Sequence, residues 1–451
     1  MTTKKLTEYI KQSTSTQSTE KTGQPKPAQA RIRFKKETEL QETPIGKIPK
    51  EWKMSTLSQL INYEKGKKPS KLFKEEKSQH LIPYLKAEYL RGLESPEWCE
   101  PTDVNVLRVK KTDIIMIWDG SYSGEVFIGF EGALASTMIK ITPKESLVNN
   151  KYLYYWLKKH NRTLHSTTVG TGIPHVNKKV FENLLIPTPP LMEQKVIAEI
   201  LSTVDSAIDK VRRLVERAEK LKKGLMQELF TKGIGHKEYK ETPIGRVPNE
   251  WLVYRLSQLA IEMYYGVTAK AVEHSTGTRF LRTTDIKDYK VQWDSLPYCE
   301  VTSNNKVNLS KYTLRKGDII VSRAGTVGMS VYVDRDMPDV IFGSYLIKIR
   351  VNDKLIDPKF LHYYLQTEQY WIQILASSKG STLKNISLPT LKSLVTPVPT
   401  LEEQKVIIEI LSTVDRYVES IKMKLERLER VKKWLMDVLL TGKVRVVVEF
   451  S

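Results

Sequence analysis

Two cysteines in 451 residues, Cys99 and Cys299, are too few for a disulfide framework or a thiolate-rich zinc site. Each follows an aromatic residue and precedes a glutamate, so the pair reads as two equivalent packed positions. No apolar run reaches the roughly 18 residues of a membrane span, and the first residues, MTTKKLTEYIKQSTSTQSTEKTGQPK, lack the apolar core of a secretory signal. A cytoplasmic protein with no membrane partner is therefore expected. None of the seven histidines forms a close pair at ligand spacing, and no metal site is expected. The phosphate loop GxxxxGK[ST], the zinc helix HExxH, the nucleophile elbow and the dinucleotide fingerprint are all missing. So is the Asn/Asp-Pro-Pro-Tyr/Phe stretch with which amino-methyltransferases hold a flipped base. Catalysis by this chain alone, as nuclease or methyltransferase, has little support.

What is present in excess is positive charge. A formal charge of +20 and a pI near 9.5 point to a polyanionic partner, most simply nucleic acid, while 40% hydrophobic residues suffice for real cores. The chain also repeats itself. ETPIGKIPKEW (Glu42 to Trp52) returns as ETPIGRVPNEW (Glu241 to Trp251), and EQKVIAEILSTVD (Glu193 to Asp205) returns as EQKVIIEILSTVD (Glu403 to Asp415). Length alone suggests three domains at about 150 residues each, but the repeat favours two halves. Between the matched islands the sequence diverges, the pattern of one scaffold presenting two different readers.

Residues 1–38 are rich in Thr, Ser, Gln and Lys and read as a disordered leader. Residues 39–190 and 233–399 read as mixed α and β domains of one plan. DIIMIW (Asp113 to Trp118), FIGF (Phe127 to Phe130) and MIKI (Met138 to Ile141) precede the aromatic helix YLYYWLKKH, and DIIVSR (Asp318 to Arg323) and LIKIR (Leu346 to Arg350) precede FLHYYLQ. His362 stands there in place of Tyr154 and reads as a packed or surface histidine. Proline-marked segments lead into helical spacers at 191–232 and 400–441, followed by a tail at 442–451. Thr400 and Glu403 have capping-box spacing, so Glu193 and Glu403 read as capping and dipole residues.

Each spacer carries an apolar seam at alternating steps of three and four. Ile197, Leu201, Val204, Ile208, Val211, Val215, Ala218, Leu221 and Leu225 answer Ile407, Leu411, Val414, Val418, Ile421, Leu425, Leu428, Val431 and Leu435. Chain order requires the pair to be antiparallel, since the first helix leaves one domain and the second runs back. The expected fold is thus mixed α+β, with two globular domains separated by a long antiparallel two-helix coiled coil in a pseudo-two-fold internal repeat. A coiled coil of some 40 residues makes a rod of roughly 60 Å.

A DNA reader needs cations for phosphates and polar side chains on rigid loops for base edges. Three loops occur at matched places: GKKPSK against GVTAK, WDGSYSG against RAGTVG, and VGTGIPHVNKK against SKGSTLKNIS. They nominate Lys67, Lys68, Lys71, Ser121, Tyr122, Ser123, Thr171, His175, Lys178 and Lys179 in the first half. In the second they nominate Thr268, Lys270, Arg323, Thr326, Lys379, Ser381, Lys384 and Asn385; Lys86, Arg91, Arg282 and Thr284 complete the set. Arg282 and Arg323 have the fork for guanine and Asn385 the amide for adenine, although phosphate or carboxylate would suit each as well. The same composition is ordinary for turns. A coiled-coil scaffold whose basic domains bind protein or RNA is the competing reading, and it predicts no sequence-dependent DNA binding.

On TPIGKIPKEW, PLMEQKVIAEILSTVD, their second copies and the closing LLTGKVRV, the chain resembles specificity subunits of Type I restriction-modification systems over residues 40 to 445. The resemblance implies two target recognition domains, each reading one half of a split, asymmetric DNA sequence, and a spacer that sets the gap between them. It implies docking of methyltransferase subunits, two by the repeat, through the helical regions. Glu193, Gln194, Leu201, Val204, Ile208 and Val211, with Glu403, Gln404, Leu411, Val414, Val418, Ile421, Leu425 and Leu428, are the candidates there. Restriction subunits complete such complexes. S-adenosylmethionine, ATP and magnesium are implied in those partners and no cofactor in this chain.

Overall fold

The computed structural model describes residues 31–76, 80–170, 172–300, 309–377 and 385–449. They divide into two compact units that do not follow linear order. One holds the residues before Arg213 together with those after Lys422, and the other holds Arg213–Lys422. Each long helix, Leu191–Thr231 and Leu401–Leu440, therefore gives its first half to one unit and its second half to the other. Among the described residues no helix is long and apolar enough to cross a membrane.

In the first unit Ile114–Ile117 and Met138–Pro143 form the middle of an antiparallel sheet, flanked by Val126–Phe127 and Ile61–Lys65. Ile114, Ile115, Met116 and Ile117 are all buried, which explains why this strand is a continuous apolar run rather than an alternation. The second unit repeats the sheet, with Ile319–Ser322 and Leu346–Val351 between Ser330–Tyr332 and Ala260–Tyr265. A further sheet in each unit carries the cysteines on Glu97–Cys99 and Tyr298–Glu300. Both thiols are buried, and desolvation raises their pKa, that of Cys99 to about 11. FIGF departs from expectation: only Val126–Phe127 is strand, and Gly129 turns away at a φ of +96°.

The aromatic helices Asn150–Lys159 and Pro358–Tyr364 start at Asn149 and Asp357, whose side chains accept backbone N–H bonds from Tyr152 and Lys359. Each then ties itself to a long helix. Tyr155 donates its hydroxyl to Asp205 at 2.9 Å, and Tyr363 to Asp415 at 2.7 Å. The same aspartates pair with lysines of the opposite long helix, Asp205 with Lys432 and Asp415 with Lys222. Arg212 with Glu429 and Lys422 with Glu219 form a second matched set, each pair within one unit and 210 positions from its counterpart (212 to 422, 219 to 429). In both units residue numbers rise along one helix as they fall along the other, so the paired segments are antiparallel.

The repeated EQ at each helix start has a physical role that differs from capping. Glu193 accepts from the Trp52 indole at 3.2 Å, from Arg445 Nε and Nη2 at 2.7 and 2.9 Å, and from the Val446 N–H at 3.2 Å. Glu403 accepts from the Trp251 indole at 3.0 Å, from the Ile234 N–H at 2.8 Å, and contacts His236 Nε2 at 3.0 Å. At the capping box only the Thr400 hydroxyl engages, accepting the Glu403 N–H at 3.3 Å, because the Glu403 carboxylate is turned towards Trp251 and His236. Gln194 donates to Pro189 O and accepts from Asn149 N–H; Gln404 does the same with Pro399 and Asp357. Each EQ thus bolts a long helix to the repeated Trp segment and to the loop before the aromatic helix. Beyond the helices, Gly233 and Gly442 take left-handed conformations, and a Cβ would strike Trp251 at the first and Pro49 at the second.

Three further expectations need correction. Residues 1–30 lie outside the described residues, but Arg31–Lys36 is not leader; it pairs antiparallel with Val444–Glu449 of the tail. Glu193, Gln194 and Gln404 are buried against their own domains and are not partner contacts. The seam holds through Val215 and Ala218, and its counterpart through Ile421, but Leu221 and Val431 are exposed at 49% and 39%. There the helix ends turn other faces inward, Met226, Leu229 and Phe230 to one domain core and Met436, Leu439 and Leu440 to the other. His362 is a packed histidine, and burial lowers its pKa to about 3.

Two outcomes follow from this packing. Arg445→Ala strands Glu193 and Glu37, each 6% exposed, and should cost the first unit about 3–5 kcal/mol. His236→Ala should cost the second unit less, since of its two carboxylate partners only Glu403 is largely covered and Glu250 is 79% exposed; denaturant melts giving the opposite order would contradict this. A folded pKa below the unfolded value near 6.5 means that His362 supports stability above pH 6.5 and withdraws it as pH falls towards 3. Between pH 7 and 5 the wild type should lose about 2 kcal/mol that His362→Tyr does not lose.

Candidate nucleic-acid interface

Strands Ile61–Lys65 and Ile114–Ile117 both run antiparallel to Met138–Pro143, so both finish at the same end of their sheet. The loops that begin at Gly66 and Trp118 are thereby side by side. The third loop is sewn to the second by backbone: Gly120 N–H donates to Pro174 O at 2.7 Å and Val176 N–H to Trp118 O at 2.9 Å. In the second unit the ends of Ala260–Tyr265 and Ile319–Ser322 coincide in the same way, and Ile386 N–H donates to Arg323 O at 2.9 Å. Three loops that are distant in sequence thus converge at one sheet end in the first unit, and in the second the first two loops meet the described end of the third, Asn385–Ser387, at the equivalent place.

Glycine opens the first loop for a steric reason. A Cβ at Gly66 would collide with the carbonyls of Leu134 and Ala135, and one at Gly266 with those of Phe342 and Gly343. Beside it, each unit stacks a planar group of the second loop on a tyrosine of the first strand. Tyr63 stacks on Trp118 with ring centroids 5.8 Å apart, and Phe181 meets both edge-on. In the second unit the Arg323 guanidinium lies 4.6 Å from the centre of the Tyr265 ring. Tyr63 precedes Gly66 by three residues and Tyr265 precedes Gly266 by one, which puts both on the same sheet face.

The nominated residues fare unequally. Lys67, Lys68, Lys71, Ser121, Tyr122, Lys178, Lys179, Thr268, Lys270 and Thr284 are exposed. Lys67, Lys68, Lys179 and Lys270 make no ion pair among the described residues, whereas Lys178 pairs with Glu182 at 3.7 Å and Lys71 lies over Phe73. Arg91 stacks on Tyr122 at 3.5 Å and pairs with Glu125, and Lys86 pairs with Glu97, which raises its pKa. With Tyr84, Asp119 and Thr137, Lys86 and Tyr122 border a cleft of about 380 Å³. His175 contributes backbone, exchanging hydrogen bonds with Val169 at 3.0 and 2.9 Å. Thr171, Lys379, Ser381 and Lys384 lie outside the described residues.

Three nominations fail on geometry. Ser123 is fully buried behind the loop and reaches no ligand. Arg282 spends its guanidinium on Asp285, at 3.0 and 2.8 Å, and this local pair raises its pKa. The Thr326 hydroxyl is given to Thr283 O at 3.2 Å. Asn385 does not stand alone: its side-chain oxygen accepts Arg323 Nε at 3.1 Å. Sequence reading missed Tyr63, Lys65, Asp119 and Tyr265. Lys65 pairs with Asp119 at 2.8 Å across two loops, and the Tyr265 hydroxyl accepts Leu388 N–H at 2.8 Å. The available signal was a tyrosine just ahead of the loop glycine in both halves.

Comparison with known proteins finds relatives over most of the chain. The Type I restriction modification DNA specificity domain matches residues 49–219 and 248–430. The Type I restriction enzyme MjaVIII specificity subunit of Methanocaldococcus jannaschii is 35% identical over 425 residues, covering 92% of this chain and 98% of that protein. The EcoBI specificity subunit of Escherichia coli is 24% identical over 343 residues, 72% of each. The crystal structure of a Type I restriction-modification system S subunit from M. genitalium shares the fold, with a TM-score of 0.58 at 18% identity over 86% of this chain and 96% of that one.

The loop geometry is testable on stability alone. Gly66→Ala forces backbone apart and should cost about 1–3 kcal/mol. Gly224→Ala, at an open position within a long helix, should instead stabilise by up to about 1 kcal/mol. Urea midpoints that move the same way for both variants would remove the steric argument for Gly66.

Proposed function

Because the chain belongs to the Type I restriction modification DNA specificity family, we propose that each loop-bearing domain reads one half of a split, asymmetric double-stranded DNA target. The observation that carries this reading is the convergence of these loops at the same sheet end in both units, with one frame and different side chains. Exposed lysines on those loops meet phosphate, and planar and polar side chains meet base edges. Residues 39–190 and 233–399 are the recognition domains, and because their fillings differ the half-sites differ. The long helices, at 41 and 40 residues, fix the number of unread base pairs between half-sites about one DNA turn, ~34 Å, apart.

The chain is a specificity subunit and is not itself catalytic. Adenine methylation falls to methyltransferase subunits, two of them by the repeat, which dock on the helical regions and bind S-adenosylmethionine. Restriction subunits add ATP- and magnesium-dependent cleavage. The alternative of a scaffold with basic domains on protein or RNA finds no support among the relatives.

Methylome sequencing of cells carrying an adenine methyltransferase partner, with and without this chain, tests the reading. A bipartite adenine-methylation motif that appears only with the chain is expected; methylation that ignores its presence would defeat the proposal. Exchange of residues 52–189 for another family member's domain should alter one half-site and leave the other intact. Lys67→Ala with Lys68→Ala should weaken binding to all sequences and make the salt slope shallower by about one to two, as two fewer phosphates release counterions. An unchanged slope would take that loop off the DNA.

A further inference from the structure

We propose that Arg323 is a guanine reader and that the half-site recognised by the second domain contains a guanine fixed by this one side chain. The inference rests on the DNA-reading function above and goes beyond it by naming a base and the residue that selects it. A guanidinium discriminates guanine only if its two terminal amino groups face outward as a fork and its plane is held. Every other direction open to Arg323 is already closed. Its backbone is clamped on both sides, N–H to Tyr345 O and carbonyl to Ile386 N–H, both at 2.9 Å. The Tyr265 ring lies 4.6 Å from the guanidinium and sets its plane. Nε is committed to the Asn385 oxygen at 3.1 Å, which fixes the rotation of the head group. Nη1 and Nη2 have no partner among the described residues. The unused end of the group is the fork that matches O6 and N7 of guanine.

Other cations of this domain do not compete for this role. Arg282 is folded back onto Asp285, and lysines such as Lys270 present point charges that do not fork. Asn385, nominated by its amide for adenine, acts instead as a positioning residue for Arg323. In the first domain the equivalent place is held by Trp118, whose carbonyl accepts Val176 N–H as that of Arg323 accepts Ile386 N–H. An indole stacked on Tyr63 has no fork, so the two half-sites differ at this position.

The test uses the chain assembled with its methyltransferase subunits, acting on DNA libraries in which each position of either half-site is randomised in turn. Domain exchange assigns the half-sites. Wild-type complex should require guanine at one position of the second domain's half-site. Arg323→Ala, and equally Arg323→Lys, should lower the preference for guanine at that position about tenfold to a hundredfold, with the other positions and the first half-site unchanged. Asn385→Ala should lower it at the same position by less. Intact selectivity at the first half-site certifies folding. A wild-type half-site without guanine, or unchanged preference in the variants, overturns the proposal. So does a uniform loss over all bases with a salt slope shallower by about one, which marks a phosphate contact. A wild-type complex with no bipartite preference would sink the DNA-reading function itself, a failure separable from that of Arg323.

Discussion

A carboxylate at the first turn of each long helix, buried at Glu193 and largely covered at Glu403, is the constraint on which the rest depends. Glu193 and Glu403 sit where the helix leaves its domain, and each holds the indole of the repeated tryptophan and an arginine or histidine side chain supplied by the segment after the other long helix. A buried charge is tolerated only when its partners are in place, so the site enforces one geometry. The exit angle of the helix, the seat of the tryptophan and the close of the opposite helix are settled together. That is why the islands around Trp52 and Glu193 return almost unaltered while the sequence between them does not.

The frame thus constrained allows substitution without rebuilding. Arg445, on a strand, meets Glu193 in one unit as His236, outside any strand, meets Glu403 in the other, whereas Trp118 and Arg323, and Tyr154 and His362, exchange at equivalent places. The first difference alters how many carboxylates gather at the anchor: three around the arginine, two around the histidine. The second alters what the loop offers to a ligand. The third leaves one helix with a phenol and the other with an imidazole that burial keeps neutral, its Nε2 accepting from Gln366 and its Nδ1 donating to Ser330.

Much of the architecture was legible because it follows from local patterning. DIIMIW and DIIVSR are buried strands whose apolar runs announce them, and the long helices follow from a stripe that is buried for most of its length. The errors fall where distant partners override the local pattern. Arg31–Lys36 has the composition of a leader, yet finds its complement more than four hundred residues away in Val444–Glu449. Leu221 and Val431 keep the heptad but lose the partner, since the helix ends belong to the domain cores. At the loops, composition does not tell an exposed serine from Ser123. The Arg282 and Asp285 spacing, by contrast, was readable as a local pair, and the stacking of Arg323 on Tyr265 required the fold.

The division of both long helices between the units bears on how the chain is made. The unit that contains the N-terminal recognition domain also needs residues from Met423 onwards, including Arg445 and the strand Val444–Glu449, and these are synthesised after the whole of Arg213–Lys422. The second-encoded unit, Arg213–Lys422, is continuous and can be completed while synthesis is still under way. The domain translated first is therefore finished last. Until then the apolar core that Leu435, Met436, Leu439 and Leu440 join in the finished unit lacks them. Non-local closure of this kind is slow, which makes the nascent first half the natural client of a chaperone and a truncated chain a natural target for proteolysis.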